Sequence, residues 1–242
     1  MNTDKTYKER ISKRAFDEVR KIDAKAGVIK KADGSAYFKI GKTVAYAAVY
    51  GPRDLYPRFK QDPKKGILRC NYNMMPFSGA GERVRPGSNR RAKEISLVTE
   101  KALLPVLDLS AYPNAVVDVF IELPETDAGS RCAGICAAAI ALADAGLTMK
   151  DMVAAISVGQ VRDALVVDLD GDEEHLDENA STDIALAMIP ETEEITLMQM
   201  DGIIEKDKLF KALEMVKPAM KHIAQVQRAA LKQKYNSGES NE

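Results

Sequence analysis

Apolar positions recur along the chain with two spacings, and where the spacing changes the sequence divides into elements. Residues 7–22 carry a helical pattern on a strongly polar segment. The stretch GVIKKADGSAYFKIGKTVAYAAVYGPR then alternates as strands do, with hairpins expected at Asp33-Gly34 and Gly41-Lys42. ILRCNYNMMPF and AVVDVFIEL have strand composition. Between them, Ser88 can cap a helix whose apolar stripe is Ile95, Val98, Ala102, Leu103 and Val106. In TDAGSRCAGICAAAIAL the run from Cys132 to Leu142 has no polar side chain; a helix apolar on every side is a buried one, so a core helix is predicted over 132–145. A short helix is predicted over 150–155, followed by strands in ALVVDLD, DIALAMI and EITLMQMDG. A final helix over 206–235 contains Pro218, which is expected to kink or split it.

No internal repeat or linker rich in Pro, Gly or Ser interrupts this order, and strands and helices come in clusters without strict alternation. The expectation is one α+β domain over 1–242, with an ordered core from about 7 to 235 and a loose tail at 236–242. No apolar run reaches the roughly 20 residues that span a bilayer. Three cysteines, Cys70, Cys132 and Cys136, with no secretory leader ahead of them, predict a reducing, cytoplasmic setting. Cys132 and Cys136 lie one helical turn apart and read as small packed hydrophobes before they read as a metal pair. Only two histidines occur, His175 and His222, which argues against Zn sites and Ser-His-Asp triads; His222 reads as a surface residue. The glycines of SGAGERVRPG match neither a phosphate-loop nor a dinucleotide fingerprint.

Net charge changes the picture once it is divided by segment. The formal charge of −1 hides a block at 51–93 with eleven Lys or Arg against three acids, and another at 168–183 with eight acids and no Lys or Arg. Arg131 sits at the mouth of the predicted core helix, behind Gly129, which allows close backbone approach, and Ser130, read as an N-cap. That combination is a cradle for an anion. A guanidinium in a first turn opposes the helix dipole, so Arg131 is explained either by a bound anion or by an ion pair with Glu125 or Asp127. Arg90 and Arg91 in GSNRRAKEI break the same rule, through function or as an exposed basic face. Asp177 and Asp183, in a concentrated acidic stretch, imply a divalent cation or a raised pKa, or else a solvated loop.

Taken together, KKADGSAYFKIGKTVAYAAVYGPR, PRFKQDPKKGILRCNYNMMPFS, NRRAKEIS, TDAGSRCAGICAAAIALADAGL and TDIALAMIP resemble the RNase PH family. The resemblance runs from about Tyr7 to Tyr235 and is strongest to the branch that supplies the catalytic subunit of the archaeal exosome. It implies an RNase PH-like α+β fold of the ribosomal protein S5 domain 2 type, with mixed sheets and packed helices. It also implies phosphorolysis of single-stranded RNA from the 3′ end, with inorganic phosphate as co-substrate and nucleoside diphosphates as products. Gly129, Ser130 and Arg131 would then hold phosphate, Arg90 and Arg91 would grip the terminal phosphates of the RNA, and Arg58 would touch RNA further up a channel. Asp183 and Asp177 would serve as catalytic group and Mg²⁺ ligands, with Glu174 the alternative to Asp177 because the acidic loop runs a few residues long. Tyr56 and Phe59, beside Arg58, would stack on a base or pack the loop. The implied partners are a related inactive RNase PH-like subunit, alternating with this one in a hexameric ring, and RNA-binding cap proteins. Two further readings are a non-catalytic RNA-binding ring subunit and a homohexameric enzyme that trims tRNA 3′ ends.

Overall fold

The computed structural model describes residues 6–80, 84–85, 89–176 and 181–236. Strands β1 (Ile22–Ala26), β2 (Gly34–Ile40), β3 (Thr43–Asp54), β4 (Ile67–Met74) and β5 (Ala115–Glu125) form one sheet in the order β1-β2-β3-β5-β4. It is mixed, because β4 runs parallel to β5 while the other pairs are antiparallel. Strands β6 (Ala154–Val161), β7 (Ala164–Val167), β8 (Ser181–Ile189) and β9 (Glu194–Asp201) form an antiparallel sheet in the order β7-β6-β8-β9.

Between the sheets lies the apolar helix, α2 (Ser130–Asp144), which packs on β2, β3 and β5 on one side and on β6 and β8 on the other. Helix α1 (Arg90–Leu103) covers β4 and reaches β9. Helix α4 (Lys206–Asn236) lies over β6, β1 and β7. The small residues of α2 allow this arrangement: Ala137, Ala138 and Ala139 are fully buried and bring both sheets close to the helix axis. A larger side chain at any of them would overpack the core at a cost of about 1–3 kcal/mol. Ile135, Ile140 and Leu142 are also fully buried, each contributing about 1.5–3 kcal/mol. Residues from both sheets and α2 form one continuous core cluster.

Several expectations change. Residues 7–21 are not a helix; they run as turns and extended chain, because the buried Arg10 and Arg20 bind partners far along the sequence instead of neighbours one turn away. Gly41-Lys42 closes a two-residue hairpin, with Ile40 paired to Thr43 and Gly41 at φ +58°. Asp33-Gly34 does not: Gly34 already belongs to β2, and the Asp33 carboxylate accepts from the Gly51 N–H. No helix forms over 150–155, where β6 begins at Ala154. That strand is buried on both faces and therefore shows no alternation. Pro218 does not split α4, which is continuous from Lys206 to Asn236. The tail from 237 onward lies outside the described residues. None of the described helices is long and apolar enough to cross a membrane, and Cys70, Cys132 and Cys136 are free and buried. His222 is exposed.

Candidate active site

A cavity of about 580 Å³ opens where the N-terminus of α2 meets the acid-bearing ends of β8 and β9. Its basic side is Arg91 from α1 and Arg131 from α2, and its acidic side includes Glu174, Asp183 and Asp201. Gly129 and Ser130 line it as well.

Gly129, not Ser130, is the N-cap of α2; at φ +67° and ψ 26° it takes the left-handed conformation that glycine adopts at no steric cost. Ser130 is thus the first helical residue, buried at the cavity wall. With no side chain capping the helix, its first N–H groups and its positive dipole end are left to whatever enters the cavity. Arg131 forms no ion pair among the described residues. Of the two expected partners, Asp127 is engaged by Arg20 at 3.4 Å and Glu125 forms no ion pair with Arg131; the charge that acts on Arg131 from across the cavity is that of Asp183. In α1, the Asn89 side chain accepts from the Ala92 N–H and caps the helix; Ser88 lies outside the described residues. Arg90 and Arg91 occupy the first turn, but only Arg91 lines the cavity, while Arg90 is exposed outside it. The charges of Arg91 and Arg131 both act on the buried hydroxyl of Tyr72, which places both near one point. Burial raises that phenol's pKa, and Ser130 stands close enough to oppose this without being in hydrogen-bonding geometry.

Asp183 is on β8, directly opposite Asp201 on β9. Like charges facing across a strand pair repel. Burial pushes the Asp183 carboxyl up to about 6; Arg131 pulls it down and Asp201 pushes it further up. Its Oδ1 is buried with no hydrogen-bond partner among the described residues. Glu174, in the one-turn helix α3 (Gly171–Glu174), is pushed up to about 7 by burial and by Asp183, against His175 and Arg20. Asp177 lies outside the described residues, so of the two alternatives for the first acid it is Glu174 that is seen at the cavity. Sequence reasoning missed Asp201 and Ser157, which also lines the cavity. Asp201 is the next-to-last residue of EITLMQMDG and the last of β9, and it is the register of β9 on β8 that brings it to Asp183.

The acidic block at 168–183 is only partly available to a ligand. Asp168 receives a two-pronged contact from Arg20, Nε at 2.9 Å and Nη2 at 2.7 Å, and Glu173 pairs with Arg10. Arg20 also donates to the Ala128 carbonyl at 3.3 Å, joining the acidic turn to the loop ahead of Arg131. Gly171 permits the junction, since a Cβ there would lie 2.4 Å from an Asp127 carboxylate oxygen. In the basic block, Arg53 and Arg69 both bind the buried Asp118. Arg58 is exposed in a 3-10 turn at Arg58–Lys60, and Tyr56 and Phe59 are 65% and 84% exposed, so they do not pack the loop.

Comparison with known proteins agrees with this architecture. The model of the 3′ exoribonuclease family RNase PH matches residues 18–148 with its domain 1 and residues 151–217 with its domain 2. The exosome complex component Rrp41 of Thermococcus gammatolerans is 47% identical over 226 residues, covering 93% of this chain and 89% of the relative. That of Methanopyrus kandleri is 46% identical, covering 93% of each. Among solved structures, rice Rrp46 superposes with a TM-score of 0.79 at 22% identity, covering 92% of this chain and 100% of that one. A chain of the Archaeoglobus fulgidus exosome with RNA bound to the active site superposes with a TM-score of 0.76 at 23% identity, covering 90% and 92%. With both family domains matched in order and near half of its residues shared with Rrp41 proteins, the chain belongs to the RNase PH family of 3′ exoribonucleases.

Proposed function

We propose that this chain shortens single-stranded RNA from its 3′ end by phosphorolysis. An oxygen of inorganic phosphate attacks the last phosphodiester and forms a new P–O bond. The bond to the 3′ oxygen of the penultimate nucleotide breaks, and a nucleoside diphosphate leaves. The observation that carries this reading is the Arg131 guanidinium, without an ion pair among the described residues, at the open N-terminus of a buried helix and lining the same cavity as Asp183. Hydrolysis would need no such anion site for its nucleophile.

Attack by phosphate on a phosphodiester brings two anions to contact distance. At about 4 Å and an effective dielectric near 20, two like unit charges repel by about 4 kcal/mol. Arg131 and the α2 N–H groups offset this by holding the phosphate, and Arg91 steadies the terminal phosphate of the RNA. Arg90 and Arg58, exposed outside the cavity, suit contacts with the RNA backbone along its path, with strong salt dependence and little sequence preference. Asp183, with its carboxyl raised to about 6, retains a proton in about a tenth of molecules at pH 7 and can pass it to the leaving 3′ oxygen.

The residues also fit Mg²⁺. No group of three metal-ligating side chains occurs among the described residues, yet Mg²⁺ is commonly held by one or two carboxylates together with substrate phosphates. The unpartnered Oδ1 of Asp183, facing Asp201 across the strands, supplies such a pair. A carboxylate that holds Mg²⁺ carries no proton, so when bound there the ion would take the place of the Asp183 proton and neutralise charge on the leaving oxygen; Asp177 is the further ligand implied by the family.

The names of the relatives support membership of an exosome. In this reading the chain alternates with a related inactive subunit in a hexameric ring, beneath RNA-binding cap proteins, in the cytoplasm. Edge strand β9 and the residues after it favour such contacts: Ile195, Met198, Met200 and Ile203 are 46%, 51%, 49% and 91% exposed.

Incubating the chain and its sister subunit with a single-stranded oligoribonucleotide tests the reaction. Nucleoside diphosphates are expected only when phosphate is present, and monophosphates released in phosphate-free buffer would refute phosphorolysis. Arg131→Lys keeps the charge but loses the fork, so KM for phosphate should rise by about tenfold to a hundredfold.

A further inference from the structure

We infer that Ser157 is a further ligand of the attacking oxyanion, donating a hydrogen bond from its hydroxyl to inorganic phosphate from beneath the N-terminal turn of α2. This rests on the phosphorolytic reading above and adds a residue to the phosphate site.

Ser157 lies in the middle of β6, paired with Ala185 of β8, and both residues line the cavity. It is 1% exposed, and its Oγ is buried with no hydrogen-bond partner among the described residues. A buried hydroxyl without a partner is unfavourable, and nothing in the strand requires one: the backbone carbonyl of Ser157 accepts from the Asp168 N–H, while the side chain takes no part in the ladder. The hydroxyl is close to the left-handed N-cap of α2, since a Cβ built on Gly129 would lie 3.9 Å from Ser157 Oγ. Arg20 Nη2 lies 3.5 Å from the same point, so the space that glycine leaves open beside the helix terminus is bordered by this hydroxyl and by the Arg20 guanidinium. Two independent features meet there: an uncapped terminus of a 15-residue helix and a buried side-chain donor without a partner among the described residues. Both are satisfied by one oxyanion bonded to the helix N–H groups, with Ser157 Oγ donating to another of its oxygens.

The test is Ser157→Ala in the full chain, followed by thermal unfolding during titration with inorganic phosphate, without RNA. Phosphate should stabilise the parent. Unliganded S157A should melt at the same temperature or higher, because an unsatisfied hydroxyl has been removed. Its phosphate titration should shift to about tenfold higher concentration, equivalent to about 1.4 kcal/mol. In the assembled enzyme, KM for phosphate should rise by the same factor, with kcat changing less than about threefold and RNA affinity without phosphate unchanged. An unshifted phosphate titration would overturn the inference. So would a lowered melting temperature of unliganded S157A, which would reveal an internal bond. If the parent itself is neither stabilised by phosphate nor releases nucleoside diphosphates, the phosphorolytic reading fails instead.

Discussion

Asp183→Asn is expected to lower kcat for phosphate-dependent RNA cleavage by about 10²–10⁴-fold while making the protein harder to unfold at pH 7.5 in metal-free buffer. Both effects come from one half-buried carboxyl, whose Oδ1 is out of reach of solvent. Asparagine is nearly isosteric and keeps the strand pairing with Asp201 intact, but it has no acidic proton to give the leaving 3′ oxygen. The stability effect follows from the direction of the shift. The carboxyl of Asp183 is raised from an ordinary 3.8 to about 6, so folding favours its protonated form. Above about pH 6 the folded state carries the full cost of burying the charge, on the order of 1–3 kcal/mol for this partly exposed side chain; below about pH 4 that cost is absent. Urea midpoints of parent and D183N should therefore differ at pH 7.5 and converge near pH 4. With saturating substrates and Mg²⁺ too dilute to occupy Asp183, the parent's kcat should fall about tenfold per pH unit above 6, whereas D183N should be flat. Mg²⁺ should raise the melting temperature of the parent at pH 7.5 but not that of D183N. If D183N were less stable than the parent at pH 7.5, Asp183 would have a partner in the folded chain, and its place as the acid would be lost.

Those parts of the fold that follow from local periodicity were legible in the sequence. The all-apolar run after Arg131 is a helix buried on every side, and Gly41-Lys42 is a hairpin. Misread segments were those whose conformation is set by distant partners. AAISVGQV alternates on neither face because α2, α4 and neighbouring strands cover it, so strand and helix could not be distinguished by period. The polar N-terminal segment has a helical rhythm, yet Tyr7, Arg10 and Arg20 are buried against residues about 150 positions away, which periodicity cannot register.

The candidate site was legible where a local rule is broken. A guanidinium in a first helical turn with no acid beside it marked both Arg131 and Arg91. Arg90 carried the same signal but points elsewhere, because adjacent positions on a helix are about 100° apart and only one of the two can face the cavity. Asp201 and Ser157 broke no local rule. Asp201 becomes significant through its register with Asp183, and Ser157 through a buried hydroxyl that has no partner among the described residues, and both are properties of the folded chain.

The largest stability loss is expected at a residue that touches neither substrate. Arg10 and Glu173 form an ion pair at 2.6 Å with both side chains fully buried. Arg10 donates to both Glu173 carboxylate oxygens and to the carbonyls of Ala15, Glu18, Val167 and Asp168. Glu173 also accepts from the Tyr7 hydroxyl and the Asp170 N–H. Burial alone would raise the Glu173 pKa, but bonds from Arg10 and the Asp170 backbone outweigh it and hold it below the usual value. Its stabilisation is therefore present above the unfolded pKa and lost as pH falls through the lower folded one. Arg10→Met leaves the buried Glu173 with the Tyr7 hydroxyl, the Asp170 N–H and the more distant Arg14 at 3.9 Å, and should cost about 3–5 kcal/mol in urea unfolding at pH 7.5. The penalty should shrink toward pH 4, where Glu173 can take up a proton. Adding Glu173→Leu should recover the part of the loss due to the orphaned carboxylate, while the part due to the four carbonyls that Arg10 bonds remains. Glu174 follows Glu173 in α3 and lines the cavity, so activity in R10M should fall even where the protein remains folded. A single-variant cost below about 1 kcal/mol would show that the N-terminal segment does not anchor the acidic turn, and that something other than this ion pair holds Glu174 against the site.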